Sequence, residues 1–120
     1  MKFRNLLQRA LAQLGFIRQP DFSVRRVLTH PSVDAIQPGQ MILVGRAKNL
    51  KWACFHCPGQ CGEVILLSLV AKQHPRWAVS TDWLGRPTVQ PSIRQLNECG
   101  CHFWIQQGSV SWCSDSRSQN

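Results

Sequence analysis

The sequence predicts a mainly β domain, a small antiparallel sheet of zinc-ribbon type, behind an N-terminal amphipathic α-helix. Three observations carry that prediction. Short β-rich runs recur between turn residues from Pro20 onward, most of the cysteines gather in two separated stretches, and the opening residues space their apolar side chains at helical intervals. A chain of 120 residues is sized for one domain with an arm, which excludes a multidomain enzyme. With 43% apolar residues and a mean hydropathy of −0.20, it is too apolar to stay disordered and too polar to span a membrane, so a soluble, folded protein is expected.

The elements follow in order. Phe3, Leu6, Leu7, Ala10, Leu11 and Leu14 recur at steps of three and four, one stripe of a helix, with Arg4, Gln8 and Arg9 off it and Gly15 as the stop. Docking of this helix on its own domain is the plain reading, and a membrane surface or a partner the other. Gln8, Arg9 and Gln13 interrupt any secretory apolar run, so a cytoplasmic protein is expected, although an acid-free, Arg-bearing start also suits a mitochondrial presequence. Strands are expected at Phe22 to Leu28, Gln40 to Val44, Leu50 to Cys54, Glu63 to Leu69, Arg76 to Ser80, Pro87 to Gln90, His102 to Gln106 and Ser109 to Cys113. Gln107-Gly108 reads as the hairpin turn between the last two. The resulting organisation is a helix over 1–19, a β domain over 20–113 and a polar, frayed tail over 114–120.

Charge is unevenly distributed. The net charge is +8, and Arg and Lys residues up to Lys51 supply nearly all of the excess. An anionic partner therefore enters the reading, with Arg18, Arg25, Arg26, Arg46, Lys48 and Lys51 as phosphate contacts and Trp52 as a base-stacking platform.

The cysteines carry the chemistry. In a reducing compartment, Cys54-Phe-His-Cys57-Pro-Gly-Gln-Cys61-Gly and Cys99-Gly-Cys101-His102 read as two ligand-bearing turns for one structural zinc ion. Cys57, Cys61, Cys99 and His102 are the preferred ligands, with Cys54 or Cys101 as substitutes. His56 reads as a surface or packing residue and Cys113 as a buried free thiol.

The ordered set Cys57-Pro-Gly-Gln-Cys61-Gly-Glu63, Pro91-Ser92-Ile93, Cys99-Gly-Cys101-His102-Phe-Trp104-Ile105 and Gly108-Ser-Val110-Ser-Trp112 resembles a small bacterial family catalogued as domain of unknown function six-five-two-seven. Departures are the longer cysteine turn and Arg94-Gln95-Leu96 where that family continues with Gly-Asn-Trp. The resemblance implies a zinc-binding accessory protein of ubiquitin-like conjugation or phage-defence systems, and it supports Cys99 and His102 as one ligand pair.

Three functional readings follow. The preferred one is a non-catalytic adaptor or ligase-like module that docks an E2-like enzyme or a ubiquitin-like modifier through Phe55, Pro58 and Trp83. Nucleic-acid binding through the basic residues is the alternative. Catalysis ranks last: Glu63 lacks the zinc-deaminase signature, Cys54 and Cys57 lack a thioredoxin setting, and no Ser and His spacing suggests a triad.

Overall fold

Each β-rich run predicted from the sequence forms a strand in the computed structural model, which describes residues 2–15, 19–46, 48–59 and 61–117. Helix α1 spans Lys2–Gln13, and the strands are β1 Ser23–Val27, β2 Gln40–Arg46, β3 Asn49–His56, β4 Val64–Ser68, β5 Ala78–Thr81, β6 Pro87–Arg94, β7 His102–Gln106 and β8 Ser109–Trp112. They build two sheets, ordered β1-β2-β3-β4 and β5-β6-β7-β8, where a single sheet of zinc-ribbon type was expected. The second is antiparallel throughout, whereas the first includes a parallel β1-β2 pair.

Two layers form because each sheet has an apolar face to hide. Met41, Leu43, Ala53, Phe55, Ile65 and Leu67 alternate along the first sheet and meet Val89, Ile93, Phe103 and Ile105 of the second in one buried cluster. Phe22 closes it edge-on against Phe55, with ring centroids 5.1 Å apart. The first sheet buries its other face as well. Ile36 folds over Ile42, Val44 and Cys54, and the His56 Nε2–H donates to the Ile36 carbonyl at 2.7 Å, so His56 is the packing residue the sequence suggested.

Several expectations change here. Phe55 is fully buried, because it shares the inward register of Ala53, and so it cannot form part of an exposed docking patch. Pro58 is half-buried, and Trp83 is exposed as that patch required. Trp52 sits against His30, with centroids 5.8 Å apart, rather than presenting a bare ring. Arg25, Arg26, Arg46, Lys48 and Lys51 lie on a solvated surface, and Arg18 falls outside the described residues.

The helix docks on its own domain, but through a polar residue. Gln8, placed off the apolar stripe, is buried, with its Nε2 donating to the Leu84 carbonyl at 3.4 Å and its Oε1 accepting from the Ser23 hydroxyl at 2.9 Å. Leu6 and Leu14 of the stripe remain exposed, and the side chain of Phe3 lies outside the described residues. Among the described residues no helix is long and apolar enough to cross a membrane.

The Gln107-Gly108 turn joins β7 to β8 with both residues at positive φ, 49° and 78°. Glycine is required at the second position, since a Cβ on Gly108 would meet the Phe22 carbonyl oxygen at 2.8 Å.

Phe55→Ala should cost about 3–5 kcal/mol in urea unfolding, as for other large-to-small changes in a closed core, whereas Trp83→Ala should stay within about 0.5 kcal/mol. Equal, small effects of both changes would contradict the placement of Phe55.

Candidate functional site

Strands β6 and β7 lie at the centre of the second sheet, and their pleat decides what each side chain can reach. On β7, Phe103 and Ile105 point inward, so His102 and Trp104 point outward. On β6, Val89 and Ile93 point inward, which places Ser92 and Arg94 on the same outer face as His102. The strands pair Val89 with Ile105 but Ile93 with Phe103, so β6 accommodates extra residues in a bulge ending at Ser92. The Trp77 indole N–H donates to the Ser92 carbonyl at 3.3 Å and anchors that bulge.

A serine, a histidine and an aspartate meet there. Ser92 Oγ lies 3.0 Å from His102 Nε2, and His102 Nδ1 lies 2.6 Å from Asp115 Oδ1. A carboxylate can only accept, so Nδ1 carries the proton and the Nε2 lone pair faces the Ser92 hydroxyl. Arg94 donates to the other oxygen of Asp115; its Nη2 also lies 2.9 Å from His102 Nδ1, a contact that is not a hydrogen bond while Nδ1 carries the proton. The Arg94 hydrogen bond, followed by that of His102, holds the Asp115 carboxyl down to about 2.

Asp115 belongs to the segment expected to be a frayed tail. Instead the chain turns after β8, with Ser116 N–H donating to the Cys113 carbonyl at 3.0 Å, and folds back over the start of β7. His102 N–H donates to Ser116 Oγ at 3.0 Å, and Arg117 N–H donates to the Gly100 carbonyl at 3.1 Å. A Cβ on Gly100 would lie 2.5 Å from the Arg117 side chain, so glycine here admits the returning tail.

The thiols assemble on the other side of the same strand end. Cys57, Cys61 and Cys99 bring their sulfurs within 4.8 Å of one another. Cys101, a substitute ligand in the sequence reading, is fully buried beside them, its Sγ 3.5 Å from Cys57 and 2.9 Å from Cys99. His102, expected as the fourth ligand, is turned away from the sulfurs because consecutive strand residues face opposite ways. Cys113 is half-buried near His102 and Asp115 rather than lost in the core. Cys54 fills the outer cluster of the first sheet, and burial pushes its thiol up to about 11.

The four-cysteine cluster can hold a metal ion. The Cys57 to Cys99 and Cys57 to Cys101 separations of 3.7 and 3.5 Å are close to the ~3.8 Å between sulfurs that Zn–S bonds of about 2.3 Å give in a tetrahedron, whereas Cys99 and Cys101, 2.9 Å apart, would have to open on binding. Donors are ready for thiolate charge: Gly59 N–H reaches Cys57 Sγ at 3.4 Å, and Gln95 Nε2 reaches it at 2.7 Å. Burial pushes the Cys57 thiol up. Burial also raises Cys99, but hydrogen bonds from Cys101 and Cys61 outweigh it and bring that thiol below its ordinary value.

Titration with Co²⁺ should give an intense thiolate-to-metal band that weakens in Cys57→Ser and Cys101→Ser and persists in Cys54→Ser and His102→Ala. A band that His102→Ala removes would return the histidine to the ligand set.

Sequence reasoning named Ser92 only as part of a motif and missed Asp115 altogether. The usable signal was positional, since Ser92 and His102 fall on neighbouring strands with the same outward phase. Comparison with known proteins agrees with the chemistry. Neither a curated protein nor a solved structure matches the chain, but a protein-family model, described as bacterial ubiquitination-like system serine protease (BubE), matches residues 26–113. This corrects the non-catalytic adaptor reading, does not favour nucleic-acid binding, and bears out the link to bacterial ubiquitin-like systems. Since the match spans well over half of the sequence, the chain belongs to that family of bacterial ubiquitination-like system serine proteases.

Proposed function

We propose that the protein is a serine hydrolase that cleaves an acyl bond, peptide or isopeptide, at the C-terminus of a ubiquitin-like modifier, with Ser92 as nucleophile, His102 as general base and Asp115 as its orienting carboxylate. The observation that carries this reading is the continuous line of hydrogen bonds from Ser92 Oγ through both ring nitrogens of His102 to Asp115. A serine hydroxyl is a poor nucleophile at its ordinary acidity, and a neutral imidazole lone pair aimed at it removes the proton as attack proceeds.

In the first half of the reaction, Ser92 Oγ attacks the scissile carbonyl while its proton passes to His102 Nε2. Asp115 stabilises the imidazolium through the Nδ1–H, and the same Nε2 proton then goes to the departing amine. Water attacks the resulting acyl-serine ester, with His102 again as the base, and Ser92 is restored. Arg94 acts through Asp115 and is a positioning residue.

The site's setting supports a macromolecular substrate. Ser92, Arg94, His102 and Trp104 share one outward face of a sheet, which suits an extended chain end lying across it. The cysteine cluster supports a structural ion, taken here as zinc, held by Cys57, Cys61, Cys99 and Cys101. Four thiolates close the coordination shell, so that ion would brace the β7 end and leave the hydrolysis to Ser92, His102 and Asp115.

A fluorophosphonate probe should label Ser92 and no other serine. Ser92→Ala or His102→Ala should lower kcat by about 10⁶-fold, and Asp115→Asn by about 10⁴-fold, as in other enzymes with this triad. A Ser92→Ala protein that still cleaves a modifier bearing a C-terminal extension would overturn the assignment.

The pH profile adds a second check. Because its folded value is depressed, Asp115 contributes stability above the ordinary carboxylate range and loses that contribution only as pH falls through about 2. The carboxylate therefore stays ionised across the working range, and Asp115 should add no second proton to the acid limb of kcat/KM. A limb of slope two would show that Asp115 titrates in the same range.

A further inference from the structure

We infer that His102, Cys113 and Asp115 form a second metal site, distinct from the cysteine cluster, at which a zinc-like divalent ion switches the hydrolase off. The inference rests on the triad reading above. Its first support is donor geometry: a ring nitrogen of His102, Cys113 Sγ and a carboxylate oxygen of Asp115 all lie within 4.8 Å of one another, and the nitrogen that faces Asp115 is Nδ1, at 2.6 Å. Nitrogen, sulfur and oxygen donors in one such group are the set that borderline-soft Zn²⁺ takes, and three protein ligands with an open position are a common zinc arrangement.

The second support is access. His102 and Cys113 are half-buried and Asp115 is exposed, so an ion can arrive from solvent without disturbing the core. Its only charged competitor among the described residues bonded to Asp115 is Arg94, whose side chain is itself about half exposed. Exposed ion pairs are weak, so exchanging the guanidinium for a divalent ion costs little.

The consequence follows from imidazole chemistry. A neutral histidine has one protonated nitrogen, and metal on Nδ1 requires the proton to sit on Nε2. Nε2 then presents an N–H to Ser92 where the base needs a lone pair. The Nδ1 proton is thus relocated rather than released, and the one proton lost to solvent on binding is that of the Cys113 thiol. Ser92 keeps its own proton, Asp115 is occupied by the ion, and no general base remains.

The test uses the full chain carrying its cysteine-cluster ion. Bound Zn²⁺ per chain, the ¹⁵N shifts of the His102 ring and hydrolysis rate are followed against buffered free Zn²⁺. A second equivalent should bind, the His102 proton should move from Nδ1 to Nε2, and activity should fall in step, returning when a mild chelator removes only the second ion. Cys113→Ala and Cys113→Ser should keep the zinc-free rate and bind the second ion about tenfold or more weakly. Wild type with one equivalent only, or Cys113 variants that bind two ions as wild type does, would overturn the inference. Stoichiometry and ring shifts need no turnover, so they decide the metal site even if Ser92→Ala were to show that the hydrolase reading is wrong.

Discussion

The pleat at the start of β7 is the constraint on which the rest of the molecule depends. Cys101 and His102 are consecutive, and an extended backbone must send them to opposite faces. The thiol goes inward, 3.5 Å from Cys57 and 2.9 Å from Cys99, and the imidazole goes outward to Ser92 and Asp115. One peptide unit therefore joins the sulfur cluster to the surface that carries Ser92 and Asp115. Neither feature can shift along the strand without moving the other, since a register slip of one residue would exchange their faces.

The returning tail closes this arrangement. Gly100, between the two cysteines of the β7 end, accepts the Arg117 N–H, and His102 donates its own backbone N–H to Ser116. Asp115 is thereby held by the same backbone that carries Cys99 and Cys101. An ion in the cysteine cluster would act on catalysis mechanically, by fixing the loop against which the aspartate is braced. A small sandwich has a modest core, and positioning a histidine to within a few tenths of an ångström calls for such local support.

Much of the fold was legible in the sequence, and the boundaries of the legible part have physical causes. Strand positions could be read because turn residues such as Gln107-Gly108 punctuate them. The division into two sheets could not, since the apolar alternation of β3 or β6 says that one face is covered and not by what. Phe55 was misread as a surface aromatic for the same reason. The cysteine-rich stretches announced a cluster, yet a Cys-x-x-His spacing counts residues without assigning faces, and it drew His102 into a ligand set from which the pleat excludes it. Ser92 stood in view inside a motif, and the bulge that aligns it with His102 leaves no compositional mark. Asp115, in the polar run SDSRSQN, has nothing in its neighbourhood to distinguish it from a solvated tail residue. A triad is assembled from three elements by tertiary structure, so its members are recognised by geometry and role rather than by spacing.

The most direct measurement is a long-range ¹H–¹⁵N correlation spectrum of the histidine rings in the protein holding one equivalent of metal. With a neutral ring at His102, the nitrogen facing Asp115 should be the protonated one, the nitrogen facing Ser92 should be the unprotonated one, and Asp115→Asn should disturb that pattern. A His102 ring whose nitrogen resonance instead shows coordination to that single ion would place it among the ligands and contradict the account.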